Sequence, residues 1–200
     1  MIVDSGYPGH AEAIVRNLRK NSLAPASVSL MLITHGHIDH YGSAAEMRGL
    51  TGAPIAMHEA DAQDVRASVN SIGTPVGLVA RLFKSILIRR DRFPSQPLEV
   101  DIVIRDEMDL VPYGIDGTVI PTPGHTEGSL SVILSSGEAV VGDLVMGGFV
   151  RSRAPRPPLF LTNKLAWQES IRRVLGHSPR MIYAGHGGPF TPDALRRLIE

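Results

Sequence analysis

The sequence predicts an α/β fold in which β-sheets are covered by α-helices. Strand-like and helix-like segments alternate along all 200 residues, and such alternation is typical of sheets packed against helices. The length suits a single domain, residues 1–200. Hydrophobic residues make up 43% of the chain and charged residues 20%. Because this composition is close to the average of globular proteins, we expect a substantial core.

Amphipathic periodicity predicts the helices. In Ala11–Lys20, Ala13, Ile14 and Leu18 share one side, and basic residues lie at the C-terminal end. The other predicted helices are 43–50, 59–71, 75–90, 163–175 and 192–198.

Short apolar runs bounded by polar or glycine-containing segments predict the strands. Residues 28–33 lead directly into a polar loop and are therefore predicted to form a buried strand. The other predicted strands are 54–57, 101–104, 109–111, 118–121, 130–134, 139–141 and 181–184. Segments 130–134 and 139–141 are predicted to pair as a hairpin around a Ser-Ser-Gly turn.

Charge and cysteine content exclude several classes of protein. The chain has 20 basic and 20 acidic residues, and this zero net charge gives no reason to expect a nucleic-acid or membrane partner. The absence of cysteine excludes disulfides, thiolate metal sites and a cysteine nucleophile. No apolar run is long enough for a transmembrane helix, and the first residues do not resemble a signal peptide. We therefore expect a cytoplasmic protein with a small-molecule substrate.

The strongest chemical signal is the segment His-Gly-His-Ile-Asp-His at residues 35–40, directly after a predicted buried strand. Strand ends in α/β proteins place side chains where ligands bind. His35 and His37 are two residues apart, so an extended backbone would aim both the same way. Asp39 and His40 follow where the chain can turn, and they could face a second ion. Histidine and carboxylate are ligands that zinc and similar metals accept. A lone histidine is usually structural, but this dense cluster favours a metal site.

Three further segments supply candidate ligands. His125 lies in Pro-Gly-His-Thr-Glu-Gly-Ser, whereas Asp143 and His186 each follow an apolar strand. Each of the three is preceded by glycine, which permits tight turns and close backbone approach. Each residue alone would more often be structural, but together they complete two coordination shells.

These motifs resemble the metallo-β-lactamase superfamily, whose hallmark is H-x-H-x-D-H followed downstream by His, Asp and His. All seven positions are present in that order, and Val-Asp-Ser-Gly at residues 3–6 matches a further family motif. The resemblance covers nearly the whole chain. It implies a four-layer αββα sandwich with the site at one edge of the two sheets.

The resemblance also implies two divalent metal ions, with zinc expected and manganese or iron as alternatives. The first ion would be held by three histidines: His35, His37 and His125. The second would be held by Asp39, His40 and His186. Asp143 would bridge the two ions, and Asp4 would hydrogen-bond a ligand, a contact that affects metal affinity.

The implied activity is metal-dependent hydrolysis, in which a metal-bound hydroxide attacks a carbonyl or phosphoryl centre. Asp39 could also orient that hydroxide. The Pro-Gly-His-Thr-Glu-Gly-Ser and Gly-His-Gly segments are similar to glyoxalase II, which cleaves thioesters, although its C-terminal helical domain has no counterpart here. We therefore favour an ester, thioester or lactone hydrolase. A phosphodiesterase or nuclease with the same metals, a mononuclear-iron enzyme similar to persulfide dioxygenases, and a protein with a purely structural metal site are the alternatives.

Two segments are expected to cover the substrate pocket. By resemblance, the insertions at 59–92 and 147–163 would lie over the metals and cover the substrate pocket. Apolar side chains there could line an acyl pocket or simply pack onto the body: Val79, Phe83, Ile86, Phe149, Leu159 and Phe160.

The family normally has strands before the Asp-Ser-Gly motif, which here begins at position 4. We therefore expect the first sheet to lack its first strands, and a homodimer or swapped assembly to cover the open edge.

Overall fold

The computed structural model describes residues 1–67, 73–77, 80–82, 97–147 and 154–200. Within these residues the strands are β1 (Ile2–Val3), β2 (Met31–Leu32), β3 (Ile55–His58), β4 (Thr74–Pro75), β5 (Ile102–Ile104), β6 (Met108–Asp109), β7 (Gly117–Pro121), β8 (Leu130–Leu134), β9 (Glu138–Val140), β10 (Met146–Gly147), β11 (Pro155–Arg156), β12 (Phe160–Leu161) and β13 (Met181–Tyr183). The α-helices are α1 (Ala11–Lys20), α2 (Ile38–Tyr41), α3 (Ala44–Thr51), α4 (Glu59–Arg66), α5 (Lys164–Gly176) and α6 (Pro192–Arg196). Single 3₁₀ turns lie at Pro25–Ser27, Val111–Tyr113 and Gly142–Leu144.

Two main sheets organise the molecule. The first has the order β1-β2-β3-β5, and all of its pairings are parallel. The second has the order β13-β9-β8-β7-β6, in which β13 runs parallel to β9 and the other pairs are antiparallel. Two small antiparallel pairs, β10 with β11 and β4 with β12, lie outside these sheets.

Three hydrophobic clusters separate four layers. One cluster lies between α1 to α4 and the first sheet, one between the two sheets, and one between the second sheet and α5 and α6. Met31 and Leu32 are adjacent on β2 yet belong to the helix-facing and sheet-facing clusters respectively. Successive side chains of a strand point to opposite faces, so a short strand contributes to two cores. The fold is therefore the expected αββα sandwich.

Helix α5 covers the second sheet, and the side chain of Asn163 caps its N-terminus. The side chain of Asn163 accepts hydrogen bonds from Leu165 N at 3.0 Å and Ala166 N at 3.1 Å, which satisfies backbone donors at the helix start. Trp167 and Ile171, four residues apart, are buried on the sheet-facing side of the helix. The predicted helix 163–175 is thus present as Lys164–Gly176.

Several predicted boundaries were wrong. Residues 28–33 are largely buried, but only Met31–Leu32 form a strand, since the chain before them follows the 3₁₀ turn at Pro25–Ser27. The predicted helix 75–90 was wrong at its start, because Pro75 lies on β4 and pairs with Phe160. The predicted strand 109–111 was wrong at its end, because Val111 begins a 3₁₀ turn. Most of 75–90 lies outside the described residues.

The first sheet ends at β1, which pairs only with β2 among the described residues. The predicted homodimer that would cover this edge stays a prediction. None of the helices in the described ranges combines the length and apolar character that a membrane crossing requires.

Candidate metal centre

The candidate ligands all follow the C-terminal ends of strands. Residues 35–40 follow β2, His125 follows β7, Asp143 follows β9, and His186 follows β13. Strands β7, β9 and β13 run in the same direction within their sheet, as the pairings of that sheet require. The ligand-bearing loops therefore meet at one end of the sandwich.

His35, His37 and His125 form a compact three-histidine group. Nδ1 of His37 lies 3.1 Å from Nε2 of His35 and 3.0 Å from Nε2 of His125. Nδ1 of His125 lies 2.8 Å from the carbonyl oxygen of Phe160, to which it donates a hydrogen bond. That bond leaves Nε2 of His125 unprotonated and facing the group. Burial, together with neighbouring His37, lowers the pKa of His125 to about 3, so the ring is neutral.

Asp39, His40 and His186 form a second group. His37 has an extended backbone and immediately precedes helix α2, which carries Asp39 and His40. The ring of His40 packs against that of His35, with ring centroids 3.9 Å apart, so the two groups adjoin. Oδ2 of Asp39 lies 3.1 Å from Nε2 of His186 and 3.9 Å from Nε2 of His40. Burial alone would raise the pKa of Asp39, but the hydrogen bond with His186 and the charge of His40 lower it to about 2.

Asp143 lies between the two groups. Its Oδ1 lies 3.4 Å from Nε2 of His40, and its Oδ2 lies 3.6 Å from Nε2 of His186. The same Oδ2 lies 3.8 Å from Nε2 of His125. Burial raises the pKa of Asp143 above its ordinary value. One carboxylate therefore reaches ligand atoms of both groups.

The chemistry of this cluster fits metal ions. His40 Nε2 and Asp143 Oδ1 are buried and have no hydrogen-bond partner among the described residues, although they face each other. Buried polar atoms are normally satisfied, and unsatisfied ones point to a missing ion or water. Within three overlapping sets, all ligand atoms lie within 4.8 Å of one another: His35, His37 and His125; His35, His40 and Asp143; and Asp39, His40 and His186.

Asp4 supports the second group from behind. Its Oδ2 accepts a hydrogen bond of 2.7 Å from Nδ1 of His40, and its Oδ1 accepts one of 2.7 Å from the backbone N–H of Thr34. Burial would lower the pKa of His40, but the carboxylates of Asp4, Asp143 and Asp39 raise it to about 9. Asp4 thus orients the His40 ring so that Nε2 faces the cluster.

Glycines allow the close approach of the loops. A Cβ atom on Gly185 would lie 2.6 Å from Oδ1 of Asp143 and 2.6 Å from Cε1 of His40. Gly142 has a positive φ of 50°, and its Cβ would lie 2.6 Å from Oγ1 of Thr34. The glycines that precede Asp143 and His186 in sequence are therefore required by the packing.

The segments 59–92 and 147–163, predicted to be insertions that cover the pocket, pair with each other, and the second contacts the cluster; their covering role stays a prediction. Strand β4 of the first segment pairs with β12 of the second. The carbonyl oxygen of Phe160, on β12, accepts the hydrogen bond from Nδ1 of His125. At its other end, the second segment donates Gly147 N to His186 O at 2.7 Å. Of the proposed pocket residues, Phe160 is buried and Leu159 partly buried. The others lie outside the described residues: Val79, Phe83, Ile86 and Phe149.

Sequence reasoning missed Asp61, Trp167 and the Phe160 carbonyl. Asp61 is a buried carboxylate on α4 that accepts hydrogen bonds from the loops carrying His35, His37 and His125. Asp61 lies four residues before buried Val65, so it occupies the apolar face of its helix. A carboxylate on an apolar face was the available signal. The contacts of the other two groups are not visible in the sequence.

The sandwich and its histidine–aspartate cluster define a metal-dependent hydrolase. Residues 1–186 match the family model described as "Metallo-beta-lactamase superfamily". This chain belongs to the metallo-β-lactamase superfamily.

The chain is also similar to individual proteins. The chain is 26% identical to "Probable metallo-hydrolase YflN" of Bacillus subtilis, over 98% of this chain and 78% of that protein. It is 37% identical to "Uncharacterized protein Rv2581c" of Mycobacterium tuberculosis over 65% of this chain, a match that spans only 52% of that relative. It resembles metallo-beta-lactamase family protein TTHA1429 from Thermus thermophilus with a TM-score of 0.67 and 23% identity, over 98% of this chain and 68% of the other.

Proposed function

We propose that this protein hydrolyses a carboxylic ester, thioester or lactone at a site that holds two divalent metal ions, zinc being the expected metal. His35, His37 and His125 would hold one ion, and Asp39, His40 and His186 the other. Asp143 would be shared between them. Two such ions acidify a water molecule and polarise the carbonyl group under attack.

The observation that carries the proposal is the position of Asp143. Its two oxygens lie 3.4 to 3.8 Å from ring nitrogens that belong to both groups. One of these oxygens and the facing nitrogen of His40 are buried without a hydrogen-bond partner among the described residues. A single ion in either group would leave Asp143 facing an empty set of ligands on the other side, so the arrangement favours two ions.

The carboxylate of Asp39 is placed to orient a water molecule next to the cluster. Asp39 is ionised, and its Oδ2 accepts a hydrogen bond from His186. It is partly exposed beside a cavity of about 390 Å³ that also contacts Asp4 and His10. In this position its carboxylate can orient a water molecule through a hydrogen bond.

The walls near the cluster favour a carbonyl substrate over a nucleic acid. A second cavity, of about 450 Å³, contacts His37 and is lined by Asp61, Asp64 and Glu127. Nucleic-acid binding depends on cationic groups that neutralise phosphates, whereas the described side chains of this cavity include three carboxylates. The resemblance of the His125 segment to glyoxalase II supports a thioester in particular.

The experiment is a metal analysis followed by a substrate panel. Protein purified without chelator or added metal is analysed for metal per chain, and is then assayed with a thioester, a lactone and bis(4-nitrophenyl) phosphate. We expect about two ions per chain, in line with two-metal catalysis, and turnover of the thioester or lactone. Turnover of the phosphodiester alone would replace the proposal with a phosphodiesterase. One iron per chain with oxygen consumption on a persulfide would replace it with a dioxygenase.

A further inference from the structure

Asp61 joins the two loops that carry the three-histidine group. Its Oδ2 accepts hydrogen bonds from Gly36 N at 2.7 Å and from Thr126 Oγ1 at 2.7 Å, and its Oδ1 accepts one from Gly128 N at 2.8 Å. Gly36 lies between His35 and His37, and Thr126 follows His125. One buried carboxylate on α4 therefore sets the relative position of all three histidines.

The surroundings of Asp61 demand a carboxylate. All three of its partners donate, so both oxygens must accept, and an amide would place its own N–H₂ group against a donor. Asp61 is only 6% exposed, which makes an unsatisfied bond there costly. A Cβ on Gly128 would lie 2.4 Å from Oδ1 of Asp61, so the loop must have glycine to reach the carboxylate.

The second group has its own carboxylate. Asp4 bonds to His40 through Oδ2, and it lies on the loop after β1, far along the chain from Asp61. No hydrogen bond joins Asp61 to Asp39, His40 or His186 among the described residues. Among the described residues Asp61 thus bonds to the loops of the three-histidine group, whereas Asp4 bonds to His40 and to Thr34, whose hydroxyl lies 3.0 Å from Nδ1 of His35.

We propose that Asp61 is a positioning residue that sets the metal affinity of the three-histidine group and leaves that of the other group unchanged. The inference rests on the proposed function, since it concerns the same two metal positions. Groups that orient metal ligands typically change metal affinity by about 10- to 100-fold when they are mutated. Asp61 acts on the three-histidine group by accepting hydrogen bonds from backbone N–H groups and a hydroxyl group of the loops that carry these histidines.

The test separates the two metal positions by removing one ligand residue from one of the two groups at a time. His186→Ala leaves the three-histidine group intact, and His125→Ala leaves the other group intact. Asp61→Asn is introduced into each background, and Zn²⁺ dissociation constants are measured by competition with a chelating dye. In the His186→Ala background we expect the dissociation constant to rise by about 10- to 100-fold. In the His125→Ala background we expect no change. Asp4→Asn, by contrast, should weaken binding in both backgrounds, because Asp4 contacts His40 directly and His35 through Thr34.

Matched controls keep the result interpretable. Asp101→Asn alters another carboxylate that accepts a backbone N–H, that of Ile55 at 2.8 Å, and it should change neither dissociation constant. Thr126→Val removes one hydrogen bond from Asp61 while keeping the side-chain shape, and it should weaken zinc binding in the same background by a smaller factor. This second variant provides the test if Asp61→Asn does not fold.

Two outcomes would overturn the inference. Equal weakening in both backgrounds would mean that Asp61 only stabilises the fold, and unchanged binding in both would mean that it has no influence on the metal. The zinc stoichiometry of the wild-type protein tests the proposed dinuclear site separately. Failure of the function and failure of the inference are therefore distinguishable.

Discussion

Oδ1 of Asp143 lies 3.4 Å from Nε2 of His40, and both atoms are buried without a hydrogen-bond partner among the described residues. Leaving a buried polar atom unsatisfied costs on the order of 1–3 kcal/mol. A divalent cation between ligand groups removes that cost at both atoms. The pair is therefore a source of coupling between metal binding and stability.

Metal binding should stabilise the folded protein. Zinc at about 100 times its dissociation constant should add about 2.7 kcal/mol to the free energy of unfolding, provided that only the folded state binds it. The measurement is thermal unfolding of chelator-treated protein with and without added zinc. Asp143→Ala should show a smaller increase, and identical curves for treated and reloaded wild type would contradict the prediction.

His37→Ala and Asp143→Ala should each abolish hydrolysis while leaving much of the fold. Metal catalysis contributes several kcal/mol to transition-state stabilisation, and about 1.4 kcal/mol corresponds to a factor of ten in rate. We therefore expect kcat/KM to fall by about 10³-fold or more. His177→Ala, which replaces an exposed histidine at the C-terminal end of α5, is the control and should retain full turnover. Full turnover by Asp143→Ala would refute the mechanism.

Gly185→Ala should impair metal binding although it adds a single methyl group. The new Cβ would lie 2.6 Å from Oδ1 of Asp143 and 2.6 Å from Cε1 of His40, so one ligand must move. We expect weaker zinc binding and lower kcat/KM, measured on the same preparation. Gly176→Ala is the matched control, because its Cβ would meet nothing within 4 Å. Equal zinc affinity in the two variants would contradict the packing argument.

Trp167→Phe should destabilise the turn that carries Asp143. The indole N–H of Trp167 donates a 2.8 Å hydrogen bond to the carbonyl oxygen of Leu144. The side chain is buried in the hydrophobic cluster between the second sheet and helices α5 and α6. Loss of the donor leaves that carbonyl unsatisfied and should cost about 1–3 kcal/mol, as measured by urea unfolding. Leu165→Ala on the same helix, at a site that is 76% exposed, should change the free energy by less than about 0.5 kcal/mol. An unchanged midpoint for Trp167→Phe would contradict the prediction.

Strand β1 pairs only with β2 among the described residues, and we propose that a second copy of the chain pairs with its other edge. Backbone N–H groups of Ile2 and Asp4 donate to β2 and its flanking residue, so the intervening N–H of Val3 points toward the open edge. We expect analytical ultracentrifugation to give twice the 21.6 kDa mass of the chain. Val3→Pro removes the outward donor and should yield monomers. A concentration-independent monomer mass for the wild type would contradict the prediction.

Many of the helices and strands followed from the sequence because burial imposes a period on each element, whereas the order of the four layers was implied by the family resemblance. Helix Ala11–Lys20 was predicted with its observed bounds, since its apolar residues repeat at helical spacing. The hairpin of β8 and β9 was also predicted, because two apolar runs flank a short Ser-Ser-Gly turn. The short strands β4, β10, β11 and β12 were not predicted, since two-residue strands carry no periodic signal and depend on their partners.

The seven candidate ligands were also visible in the sequence, because a metal site without cysteine needs histidine and carboxylate side chains, and these cluster after predicted strands. Their convergence was not visible, since it depends on β2, β7, β9 and β13 ending at the same side of two packed sheets. The family resemblance implied that Asp143 lies between the two groups, whereas only the tertiary structure placed Asp61 beneath the three histidines. Both placements join segments distant in the chain, and long-range contacts leave no local pattern. The sequence by itself determined the chemistry available at the site, and the packing of the sheets decided which groups act together.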